Sequence, residues 1–449
     1  MEIARQALDQ LPAGWVGDVR VLAERWGAMR FAVGRLSQPH LEEGHYVSLR
    51  AVHDHRVGIA AGTDVSKAGL RALASTAKAL ARVAPQDPRF PAFPGPSGRL
   101  AATSFSESTA QLPPEGQADL AKAALEGARS VQPKGRVAGI VNVGSERLAV
   151  ANTSGLEREG PRSVVQASVL VDRPDLELPV SGWDEGAHWD AGALDCRALG
   201  RAAAERVPTG PVGSAPAGRY RVLLCGPAMS ELLGFFGYLG FNSRGVEEGW
   251  SSLRTKRGKR VAPKFVKLLD DGTNSRSLPR AFDYEGTPKR RTPLLEEGTA
   301  LDAVLDLRGA ARLGARPTGH GGLPESPWGE WGASPTNLIL SNGDASFDDL
   351  VRSVGEGILV TRLNYVRVVH PARSVITGMT RDGTYRIHGG EIGPAVRNLR
   401  FTESVLGALG SLEELGRSSR RYSDERGGGS VTTPAAVVGA FHFTSSTLF

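Results

Sequence analysis

Cysteine is nearly absent from this chain: Cys196 and Cys225 are the only two in 449 residues. That excludes a disulfide framework and a self-contained cysteine-type zinc site. Long apolar runs are missing as well. The longest, residues 232–241, is about half the ~18–20 residues a membrane-spanning helix needs. The opening MEIARQALDQLPAGW has no basic-then-apolar signal segment. The expectation is a cytoplasmic protein with no membrane partner. No G-x-S-x-G elbow, Walker A loop, complete H-E-x-x-H or dinucleotide fingerprint occurs. None of the nine histidines has a second ligand at a recognised metal spacing. His53 and His55 flank Asp54 at an expected hairpin tip, where such residues commonly face solvent. His320 lies in a glycine-rich loop, PTGHGG, and His370 ends a strand before proline.

What is present describes a multidomain globular protein. Fifty-six glycines imply many turns and close backbone approaches. Lysine and arginine exceed aspartate and glutamate by 54 to 48, a net charge of +6. Basic clusters at 254–260 (RTKRGKR) and 288–291 (PKRR) read as solvated loops. Phosphates or an acidic partner are the alternative, but no aromatic residues are interleaved for stacking, so nucleic acid is not expected as a partner.

Periodicity places an antiparallel meander first, with a turn at Asp54-His55, then a helix to about Val83 on the stripe Leu70, Leu73, Ala77, Leu80 and Ala81. Residues 84–98 hold five prolines and two glycines and read as a linker. A helix, strands with a hairpin turn at Gly144-Ser145, and a second helix follow; 208–218 reads as another linker. The remainder reads as one helix after Pro227 and then mainly strands, an antiparallel sheet or partly closed barrel. The expected class is α+β: an N-terminal antiparallel sheet with helices (1–95), a small middle α/β unit (96–212), and a large, mainly antiparallel C-terminal β domain (213–449). No internal repeat is visible.

One stretch raises a chemical question. MSELLGFFG, residues 229–237, continues a helix that is apolar except for Ser230 and Glu231. A carboxylate near the start of a helix is favoured by the helix dipole, which accounts for Glu231 without any chemistry. Cys225, on the preceding strand, reads as a small buried hydrophobe.

Longer segments carry a resemblance. RWGAMRFAVGRLSQPHLEEG, VSLRAVHDHRVGIAAGTDVSKAGL, GILVTRLNYVRVVHP and, most specifically, TRDGTYRIHGGEIGPAVRNLRFTES resemble the TldD/TldE (PmbA) family, and its TldE side more closely. The resemblance spans nearly the whole chain. It implies a heterodimeric zinc peptidase for peptides or unfolded chains, whose TldD-type subunit binds metal through an H-E-x-x-x-H helix and a cysteine near the C-terminus. Laid on that motif, Ser230 and Phe235 replace the histidines, Glu231 remains, and 425–439 contains no cysteine. Phenylalanine has no lone pair for a metal, and a neutral hydroxyl is a poor zinc ligand. The implied role is a non-catalytic TldE-type subunit, with no cofactor in this chain and zinc in the TldD-type partner. His320, Gly321, Gly428 and Gly429 are the candidate residues of a substrate cleft. Two other readings stand beside it: a metal-free modulator of a nucleic-acid enzyme or acidic partner, and an enzyme with a site around His320 and Glu325.

Overall fold

The computed structural model describes residues 1–447 apart from 97, 102–103, 176–179, 325–331 and 424–427. Its alternating N-terminal segments form strands β1 (Val16–Ala32), β2 (Arg35–His53) and β3 (Arg56–Gly62). The tip between β2 and β3 is Asp54-His55, both at positive φ (49° and 57°), which suits the two-residue connection of a twisted hairpin. Helices α1 (Glu2–Leu8) and α2 (Lys67–Val83) flank the meander. The Ser66 side chain caps α2 by accepting from the Gly69 N–H at 3.1 Å. Leu70, Leu73, Ala74, Ala77 and Ala81 are buried on the sheet, whereas Leu80 is 45% exposed. At 3.6 residues per turn, Leu80 stands about a quarter turn from the centre of that stripe.

The same order then recurs. A short helix α3 (Glu107–Ala110) and α4 (Pro114–Val131) precede β4 (Arg136–Asn152), β5 (Glu157–Arg173), β6 (Val180–His188) and α5 (Cys196–Glu205). The two meanders fuse into one six-stranded sheet, order β3-β2-β1-β4-β5-β6. β1 pairs antiparallel with β4 from Asp18–Asn152 to Phe31–Gly139. The expected boundary at 95/96 therefore divides one sheet into two helix–meander–helix halves. The repeat is one of element order, invisible at the level of residues. The expected turn at Gly144-Ser145 is also corrected: β4 runs straight through it. A Cβ on Gly144 would strike the Trp26 ring, so this glycine serves a close approach. Part of the supposed linker 84–98 is packed down as a strap. Phe93 is buried, and the rings of Phe90 and Phe93 lie 5.5 and 5.2 Å from the Arg50 guanidinium.

The C-terminal sheet has eleven strands. β7 (Gly218–Leu224) leads into α6 (Gly226–Phe241), and Asn242 stops that helix by adopting an extended backbone and capping α7 (Ser243–Glu248). β8 (Leu268–Asp271), β9 (Arg291–Glu296), β10 (Thr299–Ala300), α8 (Leu307–Leu313), β11 (Asn337–Leu340) and α9 (Phe347–Val354) follow. Then come β12 (Gly357–His370), β13 (Val375–His388), β14 (Glu391–Ala395), β15 (Leu399–Ser404), α10 (Val405–Gly410), β16 (Leu412–Tyr422) and β17 (Ser430–Ser446). β7, β12, β13, β15 and β17 pair in a ring that closes where β17 returns to β7, Val437 opposite Leu223. The core sits against this ring: Leu232, Leu233, Phe236 and Leu239 of α6 pack on Val222, Ile358, Val360, Phe401 and Phe441. The opposite face carries Leu223, Leu359 and Val437 against Leu350, Val351 and Val354 of α9.

The six-stranded sheet meets this domain through an unusual face. Odd-numbered β1 residues such as Val19 and Val21 bury under the helices. The even-numbered Asp18 and Arg20, with Arg50 of β2 and Glu146 of β4, are buried as well, and all four carry charge.

Candidate functional site

Most of α6 is sealed in the core, and one narrow face is not: Ser230, Glu231, Gly234, Phe235 and Tyr238 retain solvent contact. These positions recur at helical spacing, so they form one strip. The Ser230 hydroxyl donates to the Pro227 carbonyl at 2.8 Å, one turn back on its own helix. Phe235 packs at the margin of the core. Glu231 meets water, yet the surrounding protein removes enough hydration to raise its pKa, against the pull of Arg362 and Arg367. Glu185 of β6 is near enough for its charge and that of Glu231 to interact. Burial pushes its carboxyl up to about 7; Arg362 opposes that shift, and Asp184 and Glu231 add to it. Arg362 is held by Asp382 at 3.3 Å and lies 4.1 Å over the Trp183 ring. Two carboxylates with raised pKa values thus share the influence of one guanidinium, that of Arg362. One carboxylate and a hydroxyl already bonded to its own helix do not fit the needs of a zinc ion. Among the described residues, no three or more His, Cys, Asp and Glu side chains gather closely enough to hold a metal.

The other expected cleft residues lie elsewhere. His320 is inside the protein, its Nε2 2.8 Å from Asp270 and its Nδ1 2.8 Å from the Thr318 hydroxyl. Burial and the neighbouring Lys289 lower its pKa, offset in part by Asp270. Gly321 is buried too, donating its N–H to Asp283 at 2.7 Å; a Cβ there would press on Glu285. Gly429 abuts the Thr336 carbonyl, where β17 enters beside β11, while Gly428 is exposed. The Thr336 and Asn337 N–H groups donate to the same Asp270. His320, Gly321 and Gly429 therefore sit around a polar junction centred on Asp270 and Asp283. Glu325 lies outside the described residues.

That junction continues into the charged sheet face. Arg50 pairs with Asp18 at 2.6 Å and Glu285 at 3.2 Å; Arg20 pairs with Asp18; Arg280 pairs with Glu146 at 2.8 Å. Lys289, read from sequence as part of a solvated basic loop, is buried and donates to the Thr336 hydroxyl at 2.8 Å. The cluster at 254–260 is, in contrast, mostly exposed. Sequence reasoning missed Glu185, Arg362 and this network. The available signal was charge at alternate positions of apolar strands, which equally describes a face in water.

A half-open cavity of about 390 Å³ lies on the other side of the ring, lined by Val207, Cys225, Leu359, Tyr385 and Ile392 among others. Burial pushes the Cys225 thiol up to about 11, so it packs as a small neutral group.

The fold, a double helix–meander–helix unit beside a ring of strands built around one apolar helix, is shared with several solved structures. TldE from Thermococcus kodakarensis superposes with a TM-score of 0.89 at 18% identity, covering 99% of each chain. A Thermotoga maritima protein described as a candidate modulator of a DNA gyrase gives 0.85 at 20% identity, covering 99% of this chain and 98% of that one. At such identities the likeness is one of fold. In sequence, the family model of the PmbA/TldA metallopeptidase C-terminal domain matches residues 217–445, and that of domain 1 matches 17–81. A metalloprotease from Methanothermobacter thermautotrophicus is 25% identical over 233 residues, 50% of this chain and 49% of that protein. A Haemophilus influenzae metalloprotease TldD homologue is 27% identical over 340 residues, 71% and 68% of the two chains. The chain thus spans about half the length of the first of these relatives. It belongs to the TldD/TldE (PmbA) metallopeptidase family.

Proposed function

We propose that this chain is the non-catalytic, TldE-type subunit of a heterodimeric TldD/TldE zinc metallopeptidase that cleaves peptides and unfolded chains in the cytoplasm. The observation that carries the reading is the open strip of α6. Where the family's metal helix needs two imidazoles, this strip presents Ser230, bonded to its own backbone, and Phe235, which can bind no metal. Zinc and the attacking water belong, on this reading, to a TldD-type partner, and this chain supplies structure around the substrate. No helix among the described residues is long and apolar enough to cross a membrane. The alternative, a modulator of a nucleic-acid enzyme, shares the description of the Thermotoga protein, but one of the two basic segments behind it has its lysine buried.

The test is to purify the chain alone and co-expressed with the H-E-x-x-x-H-bearing chain of the same genome. Elemental analysis should find no stoichiometric zinc in the single chain and about one per heterodimer, with peptide cleavage only in the latter. One zinc bound per isolated chain, or cleavage by it, would sink the assignment.

A further inference from the structure

The two halves of the six-stranded sheet are built alike but are not covered alike. β3 pairs only with the last part of β2, Val47–His53, and β6 only with the last part of β5, residues 165–173. Among the described residues, each half therefore leaves the first part of its middle strand without a paired strand on the outer edge. In β5 that part is covered by the chain itself. The Ser106 N–H donates to the Ser163 hydroxyl at 3.0 Å, and Phe282 lies 3.2 Å from where a Cβ on Gly160 would stand. Among the described residues, no strand lies beside the matching part of β2, residues 35–45, on the outer edge. All but Leu36 are exposed, on both faces of the strand, with Leu41 at 44%.

We propose that this edge is a docking strand for the family partner: residues 36–45 pair antiparallel with the equivalent edge of the TldD-type subunit. This rests on the heterodimeric reading above and adds the surface that makes it. With side chains exposed on both faces, a helix laid on one would leave the other uncovered. What the strand offers along its whole length is its row of outward N–H and C=O groups, and another strand satisfies that row. The fold already grows in this way, because β1 and β4 join its two halves edge to edge. The hairpin lies within the segment matched by the family's domain 1, so a homologous subunit brings an edge of the same kind. Charge permits the pairing. The acidic Glu42 and Glu43 sit at one end, and the stretch 36–41 holds no carboxylate or permanent cation. In antiparallel register the acidic end of one strand faces the neutral end of a like strand.

Pro39 supplies the test. It has no N–H, and it is tolerated opposite Met29 where its nitrogen points away from β1. By alternation the N–H groups of Leu41 and Glu43 also point outward. Leu41→Pro with Glu43→Pro removes two outward donors and leaves the ladder to β1 in place, which far-UV circular dichroism and Tm verify. The heterodimer should weaken at least tenfold in Kd. In the unmodified complex, hydrogen exchange at 36–45 should slow at least tenfold relative to the chain alone. Unchanged exchange at these amides in a formed complex overturns the proposal, while the subunit reading stands. Slowed exchange in the isolated chain, with light scattering showing a dimer, overturns it in favour of a second copy. Failure of the two unmodified chains to associate rejects both.

Discussion

Two interiors of this molecule are held by opposite means. Around α6 the core is apolar, with Leu232, Phe236 and Leu239 sealed against the strand ring. Between the six-stranded sheet and residues 270–320 the interior is ionic, with Asp18, Arg20, Arg50, Glu146, Glu285, Lys289 and His320 all buried. Apolar packing is non-directional, so the first interior tolerates swaps that conserve volume. The second does not. Arg20 pairs with Asp18 on its own strand, but other charges are compensated from another segment: Arg50 of β2 by Glu285, Glu146 of β4 by Arg280. The ionic interior therefore does little for net stability and much for fixing how the sheet sits on the C-terminal domain.

The largest expected effect comes from breaking that second interior at its centre. Arg50→Ala strands Asp18 and Glu285 without their shared cation and removes the guanidinium packed beside Phe90 and Phe93. Loss of one partner from a buried ion pair costs about 3–5 kcal/mol. Equilibrium unfolding in urea should show a loss of that size; a change below about 1 kcal/mol would mean the network is slack.

A smaller effect sharpens the contrast through pH. Glu185 stands at the edge of the sheet, and its folded pKa, about 7, lies above the ordinary value of about 4.3. A carboxyl raised in this way binds its proton more tightly in the folded state. Its contribution is fully present below about pH 4.3 and is lost as pH rises to about 7. Glu185→Gln should remove that decline, a gain on the order of 1–3 kcal/mol at pH 8 and almost none at pH 4. Asp18 behaves in the opposite sense. Burial alone would raise its pKa, but Arg20 and Arg50 hold it below the usual carboxylate range, so its contribution is lost as pH falls below about 4. Thermal melts of the Glu185 variant and the unmodified chain across pH 4–8 separate the two. Parallel curves would refute the role given to Glu185.

The same contrast explains what could be read from sequence. α2 carries its Ser66 cap and apolar stripe locally, and the Asp54-His55 turn is set by two adjacent residues. Pro227, in the first turn, and the apolar run after it define α6. The fusion of the two meanders and the closure of the ring depend on partners far apart in the chain, such as Val437 against Leu223. Alternating charges in β1 look alike whether they face water or, as Asp18 does, an arginine 32 residues on. His320 seemed available because its loop is rich in glycine, and only the fold brings Asp270 against it.

The smallest expected effect concerns Glu231, which belongs to neither interior. It lies on the solvent strip of an otherwise apolar helix, near Arg362 and Arg367, and protein crowding raises its pKa. A carboxylate that activates water needs a metal or a substrate proton within reach. The neighbours on its strip are a hydroxyl bonded to Pro227, a glycine and a phenyl ring. Glu231→Gln keeps the shape of the side chain and removes the charge. Stability should change by less than about 0.5 kcal/mol, as for a solvent-facing substitution. Peptide cleavage by the assembled heterodimer should stay within about twofold in kcat/KM, less than ~0.5 kcal/mol in barrier. The measurement is turnover of a short unstructured peptide, with assembly checked by size-exclusion chromatography and light scattering. A hundredfold fall in kcat with the complex intact would place Glu231 in the reaction, and the non-catalytic assignment of this chain would fail with it.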